Sequence, residues 1–94
     1  MENLYAVPWV EIEYGWGERP EGFKIFTDLN DCINQTNIDS ENGNYESGKG
    51  YMGPVRPLQY YIIPFDKEIK DKSFVNNIDP ISNVIYHTNK NNFR

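Results

Sequence analysis

Alternating apolar and polar positions predict strands in several parts of this chain. The densest run of β-branched and aromatic residues spans 57–65 and is apolar on both faces, so we expect it to form the central strand. Residues 4–14 also alternate, but the apolar set moves from odd to even positions between Trp9 and Val10. One extra residue at a β-bulge produces such a change of phase. We therefore predict a long strand with a bulge at this point.

A short helix is predicted from a capping signal and from helical spacing. Residues 23–26 form a second, short strand, and either Thr27 or Asp28 can cap the helix that follows it. An apolar stripe then faces the sheet and consists of Leu29, Cys32 and Ile33. The polar run after this stripe competes for backbone hydrogen bonds, which predicts that the helix frays by Asn37.

Two polar stretches are predicted as loops. Residues 15–22 hold three glycines and one proline, and Trp16 lies among them. Residues 38–57 show no periodicity, and a loop of this length in a compact domain is functional or mobile, unless it hides an irregular hairpin. The rest of the chain is predicted as a turn or short exposed helix at 66–72, a break at Asp79-Pro80 and a last strand at 83–87.

This order of elements predicts an α+β fold. We expect a small, mostly antiparallel sheet of three to four strands with one short helix packed on one face. A ferredoxin-like half unit and a helix-grip arrangement both satisfy the order. A chain of 94 residues makes one domain. We assign it to residues 1–88, with a long polar loop at 38–57, and we treat 89–94 as a polar C-terminal tail.

The acidic charge is concentrated in the first half of the chain. Residues 1–50 hold ten Asp and Glu against three Lys and Arg, whereas residues 51–94 hold four against six. Phosphate backbones are bound mainly through Lys and Arg, so we expect no direct nucleic-acid binding. An acidic surface instead suits a basic partner protein, or imitates a nucleic acid in front of a protein that binds one. The alternative is a solvated face that only confers solubility.

The sequence predicts an intracellular location without membrane association. Cys32 is the only cysteine, so no intramolecular disulfide forms and an oxidising compartment is not implied. We see no signal peptide and no apolar run near the roughly 18 residues that span a bilayer. Twelve Asn and ten Ile, with many Lys, Tyr and Phe, indicate A/T-rich codons and a low-GC genome, as is common for phages and mobile elements. We expect a cytoplasmic protein, in the host cytoplasm if it is phage-encoded.

A glycine-rich segment at 48–53 matches the pattern G-x-G-x-x-G. Dinucleotide-binding folds continue this pattern into a helix, but here Pro54 and a strand follow, which argues against such a fold. The backbone N–H groups of these glycines can instead form an anion-binding nest. The alternative is a flexible loop made rigid by its prolines. The candidate ligand-binding residues are Gly48, Lys49, Gly50, Tyr51, Gly53 and Arg56.

The sequence predicts neither catalysis nor a metal site. His87 is the only histidine and lies near the end of the chain, and Cys32 falls in the apolar stripe, where a buried thiol is inert. One His and one Cys do not fill a zinc site. A calcium loop started at Asn37 has the wrong residues at its sixth and twelfth positions. We therefore expect no enzyme, no catalytic residue, no metal and no cofactor.

Two loops with acidic and aromatic residues form the remaining candidate site, because Trp and Tyr dominate protein interfaces. The leading hypothesis is a small acidic interaction protein that binds and inhibits a host protein, such as a defence or nucleic-acid-binding factor. The candidate partner-binding residues are Trp16, Arg19, Asp39, Glu41, Glu46 and Tyr51. The alternative hypothesis is a binding module, expected as a homo-oligomer, that sequesters a small anionic ligand such as a nucleotide at the glycine segment.

Overall fold

One antiparallel sheet and one helix make up the described part of the chain. The computed structural model describes residues 3–45, 48–78, 84–87 and 93. The elements in chain order are β1 (Asn3–Glu13), β2 (Gly17–Phe26), α1 (Leu29–Glu41), β3 (Gly50–Pro54), β4 (Gln59–Pro64), β5 (Phe74–Val75) and β6 (Val84–His87). The predicted α+β class, with a mostly antiparallel sheet and one helix on one face, is confirmed. The strands are more numerous than the three to four expected, because β3 and β5 were not predicted.

The first strand, β1, is the centre of the sheet. The strand order is β5-β2-β1-β4-β6, and β3 also pairs with β1. One edge of β1 pairs with β2 along its length, while the other edge pairs with β4 at Asn3–Ala6 and with β3 at Trp9–Glu13. The prediction that residues 57–65 form the central strand is therefore wrong, since β4 lies one place from the edge. Among the described strands, β1 is the longest, with 11 residues, and it pairs with three others.

The predicted bulge is confirmed, but the extra residue lies on the neighbouring strand. Trp9 pairs with Gly22 and Val10 pairs with Pro20, which leaves Glu21 of β2 unpaired. Gly22 has a φ of +133°, a backbone conformation that glycine adopts without strain. The loop predicted at 15–22 is wrong in extent, because β2 already begins at Gly17. A glycine-rich composition predicted a loop, whereas pairing with β1 holds these residues in a strand.

The sheet is covered on both faces near the start of β1. On one face, Leu4 and Ala6 pack with Ile25 and Ile63 under side chains of the 66–78 segment. On the other face, Val7 and Phe26 pack against Cys32 of α1. Alternation along β1 directs Leu4 and Val7 to opposite sides. Residues 66–72 were predicted as a turn or a short exposed helix, and they form turns.

The helix begins as predicted and ends later than predicted. The carboxylate of Asp28 accepts a hydrogen bond from the Asp31 N–H at 2.9 Å and so caps α1. The helix continues to Glu41 instead of fraying by Asn37. Its buried face simply becomes polar after Cys32 and consists of Thr36, Asn37 and Ser40. The polar loop predicted at 38–57 is shorter than expected, since α1 takes its first four residues and β3 takes 50–54. The alternative of an irregular hairpin is confirmed, because Asn44 and Tyr51 form an antiparallel bridge.

The end of the chain is described only in part. The predicted last strand is confirmed as β6. The break predicted at Asp79-Pro80 and most of the tail predicted at 89–94 lie outside the described residues. Phe93 is an exception, because it is buried and its ring lies edge-on to Tyr60, with 6.5 Å between the ring centroids. Within the described residues, no helix is both long enough and apolar enough to cross a membrane.

Candidate functional site

The turn between β1 and β2 presents two aromatic side chains to solvent. The Trp16 N–H donates a hydrogen bond to the Glu13 carbonyl at 2.8 Å, which closes the turn. Gly15 and Gly17 have φ values of +89° and +110°, so this reversal requires glycine at both positions. Trp16 is 88% exposed and Tyr14 is 52% exposed. Large aromatic side chains at this exposure are available to a binding partner.

The β1–β2 hairpin carries more negative than positive charge. Arg19, a predicted partner-binding residue, forms an ion pair with Glu11 and a longer one with Glu21, at 3.6 Å. Glu13 and Glu18 are exposed and form no ion pair with another described residue. Among the described residues, the hairpin carboxylates without an ion pair therefore lie beside Trp16, while Arg19 is paired with carboxylates of the same hairpin.

A tyrosine from the segment after α1 is tied to the same hairpin. The Tyr45 hydroxyl donates a hydrogen bond to Glu11 at 2.8 Å, and the Tyr45 N–H donates one to the Gly50 carbonyl at 2.7 Å. The hydrogen bond from Tyr45, together with Arg19, lowers the pKa of Glu11, and the same bond raises the pKa of Tyr45. Sequence reasoning missed Tyr45, because the pairing joins residues 34 positions apart.

Two of the acidic residues predicted for the second loop, Asp39 and Glu41, belong to α1. Asp39 has a side chain only 15% exposed and accepts hydrogen bonds from Lys24 and Gln35, both at 2.9 Å. It therefore joins α1 to β2. Glu41 is exposed in the last turn of α1. Glu46 lies outside the described residues.

Tyr51 is a core residue and does not lie on the predicted binding surface. It is 2% exposed, and its hydroxyl donates a hydrogen bond to the Pro54 carbonyl at 2.6 Å. The guanidinium carbon of Arg56 lies 4.0 Å from the centroid of the Tyr51 ring. Arg56 also donates hydrogen bonds to the Ser40 hydroxyl at 3.1 Å and to the Ser40 carbonyl at 2.7 Å. The aromatic pattern alone does not distinguish such a buried tyrosine from an exposed one.

Two of the three glycines in the 48–53 segment make room for tyrosine rings. A Cβ on Gly50 would overlap the Tyr45 ring, and one on Gly53 would lie 2.8 Å from the Tyr51 hydroxyl. Both glycines belong to β3, while Gly48 precedes it with a φ of +66° and donates its N–H to the Tyr45 carbonyl at 3.2 Å. Lys49 is exposed, and its carbonyl accepts the Tyr14 N–H at 3.0 Å. Packing therefore accounts for Gly50 and Gly53, a positive φ accounts for Gly48, and Arg56 is directed toward the helix.

A groove along the hairpin was not predicted. Two adjoining cavities, of about 640 and 140 Å³, share Val10, Glu18 and Val55 in their linings. The apolar set at even positions of β1 is visible in the sequence. Whether these side chains are covered or exposed depends on the path of the 55–58 and 76–77 segments. Periodicity does not predict that path.

The single cysteine is not exposed to solvent. Cys32 is fully buried, and burial raises the pKa of its thiol to about 12, which keeps it protonated and a poor nucleophile. Among the described residues, no three His, Cys, Asp or Glu side chains are grouped so that they would hold a metal ion.

Comparisons of the chain with protein-family models, with curated proteins and with solved structures found no match. Function is therefore inferred from the exposed side chains of the hairpin.

Proposed function

We propose that this protein is a small interaction protein that binds another protein through the tip of its β1–β2 hairpin. The observation that carries this proposal is the exposure of Trp16, at 88%, on a turn that β1 and β2 support on both sides. A tryptophan side chain buries about 150–250 Å² when it is covered. At about 25 cal/mol per Å², covering Trp16 yields up to about 4–6 kcal/mol before the costs of association.

The charges beside Trp16 favour a basic surface on the partner. Glu13 and Glu18 flank the turn, and the chain as a whole carries a net charge of −5. Opposite charges steer association and select the partner. Such a hairpin would bind to a basic, nucleic-acid-binding surface of the partner protein. By covering this surface, the hairpin would inhibit the partner. We therefore extend the proposal to inhibition of a host defence or nucleic-acid-binding factor. We place this encounter in the cytoplasm, where an unpaired thiol such as Cys32 stays reduced.

The test is capture of a protein from the lysate of an A/T-rich bacterium by the tagged chain, compared with two variants. We expect Trp16→Ala to weaken capture by about 30-fold or more, as is typical of an interface hot spot. The matched control is Phe65→Ala, because Phe65 is also exposed, at 54%, but follows β4 at the opposite end of β1.

Two results would contradict the proposal. One is capture that Trp16→Ala leaves unchanged, and the other is an equal loss in Trp16→Ala and Phe65→Ala. Capture through an acidic hairpin also weakens as salt rises from about 0.05 to 0.5 M, because screening shortens the range of surface charges. Binding that is independent of salt would refute the claim that the partner presents a basic surface.

A further inference from the structure

The groove extends along the hairpin. Val10, Ile12 and Tyr14 alternate along and just beyond β1 after the bulge, so they share one face, and Pro8 lies just before the bulge. Each of them lines at least one of the two adjoining cavities, and the cavities share three residues. At about 3.3 Å per residue, the distance from Pro8 to Tyr14 is roughly 20 Å. This length matches an extended peptide of about six residues better than a compact small molecule.

The walls of the groove are apolar, and its centre is acidic. Apolar walls come from Pro8, Val10, Pro20, Phe23 and Val55. Glu18 lines both cavities and therefore lies where they meet. It forms no ion pair with another described residue, whereas Glu21 lies 3.6 Å from Arg19. The one basic side chain in the lining, Arg56, already donates to Ser40 and stacks on Tyr51. One carboxylate in an apolar groove is thus left without a cationic partner among the described residues.

We propose that this groove binds an extended segment of the partner protein in which apolar side chains flank a lysine or arginine. The apolar side chains occupy the space along β1, and the cationic side chain forms an ion pair with Glu18. The inference rests on the proposed function and deepens it, because the partner would contact both the tip and one face of the same hairpin. Charge complementarity at Glu18 selects a basic segment over an acidic one.

The test is an NMR titration of the full chain, labelled with ¹⁵N, with synthetic peptides. The probe is an acetylated and amidated peptide of about seven residues, with a central arginine between valines and serines at both ends. The matched probe replaces arginine by citrulline, which keeps the shape and removes the charge. We expect shifts of the backbone amides of Val10, Ile12, Glu18 and Val55. We expect the affinity for the arginine peptide to exceed that for the citrulline peptide by about tenfold.

Two variants show whether Glu18 supplies the selectivity. Glu18→Gln keeps the shape of an exposed side chain and is expected to remove the preference for arginine. The control is Glu68→Gln, because Glu68 is an exposed glutamate in the turns after β4 and does not line the groove. It makes the same change of charge and is expected to leave the preference intact. A preference that survives Glu18→Gln would overturn the inference, as would shifts outside the groove or no shifts at all.

The outcomes separate this inference from the proposed function. Peptide binding in the groove is measured with the purified chain and does not involve Trp16. If capture depends on Trp16 but no peptide binds in the groove, the proposed function is supported and the inference about the groove is refuted. If the peptide binds in the groove but Trp16→Ala leaves capture unchanged, the groove is supported as a binding site and the hairpin tip is refuted as one.

Discussion

Replacement of Tyr51 tests whether this residue belongs to the core or to a binding surface. Its ring is 2% exposed, and truncation to alanine in a core costs about 3–5 kcal/mol. Tyr51→Ala also removes the ring under Arg56, so we expect a loss of about 4–5 kcal/mol in the free energy of unfolding. A chain of 94 residues has a total of roughly 5–14 kcal/mol. The variant therefore approaches the limit of folding.

The conservative change Tyr51→Phe keeps the protein folded and isolates one interaction. It retains the ring and removes the hydrogen bond to the Pro54 carbonyl, which lies 2.6 Å from the hydroxyl. Loss of a buried hydrogen bond costs about 1–2 kcal/mol. For a domain of this size, such a loss lowers the melting temperature by about 4–16 °C. Tyr14→Ala is the control, because Tyr14 is half exposed and is expected to change stability by less than about 1 kcal/mol.

Urea denaturation followed by tryptophan fluorescence measures these changes. The free energies are comparable if the slope of the transition stays the same in all variants. The expected order of loss is Tyr51→Ala, then Tyr51→Phe, then Tyr14→Ala. A Tyr51→Ala protein as stable as the unmodified chain would refute the core assignment. It would return Tyr51 to the residues available for partner binding.

Three further outcomes follow from the same contacts. Gly50→Ala is expected to destabilise the fold by about 1–3 kcal/mol, because the new methyl group meets the Tyr45 ring, and an unchanged urea midpoint would contradict this packing. The pKa of Glu11 is lowered in the folded state, so its contribution to stability is complete above its ordinary pKa of 4.5 and is lost as pH falls through the lower folded value. Acid unfolding curves of Tyr45→Phe and the unmodified chain should therefore converge at low pH, and a constant difference would refute the coupling. Cys32 should react with iodoacetamide at pH 8 at least about tenfold more slowly in the folded than in the unfolded chain, because burial raises its pKa to about 12, and equal rates would contradict this burial.

The sequence predicted those features that depend on local patterns. The change of phase between Trp9 and Val10 located the bulge, and Asp28 was identified as one of two possible helix caps. Trp16 was predicted in a loop, and it lies on the turn. The errors concern residues whose state depends on distant partners. Tyr51 is buried because Gly43 and Gly53 leave space for its ring, and Arg56 connects the segment after β3 to α1.

The sequence by itself determined the α+β class, a long first strand whose pairing is interrupted by a bulge, the start of the helix and the acidic character of the first half. These properties follow from periodicity, capping and charge, which are readable over a few neighbouring residues. The tertiary structure alone decided that β1 is central, that the helix extends to Glu41 and that a groove lies beside the hairpin. Each of these depends on contacts between residues far apart in the chain. Such contacts allow a polar helix face to be buried and leave an apolar strand face open.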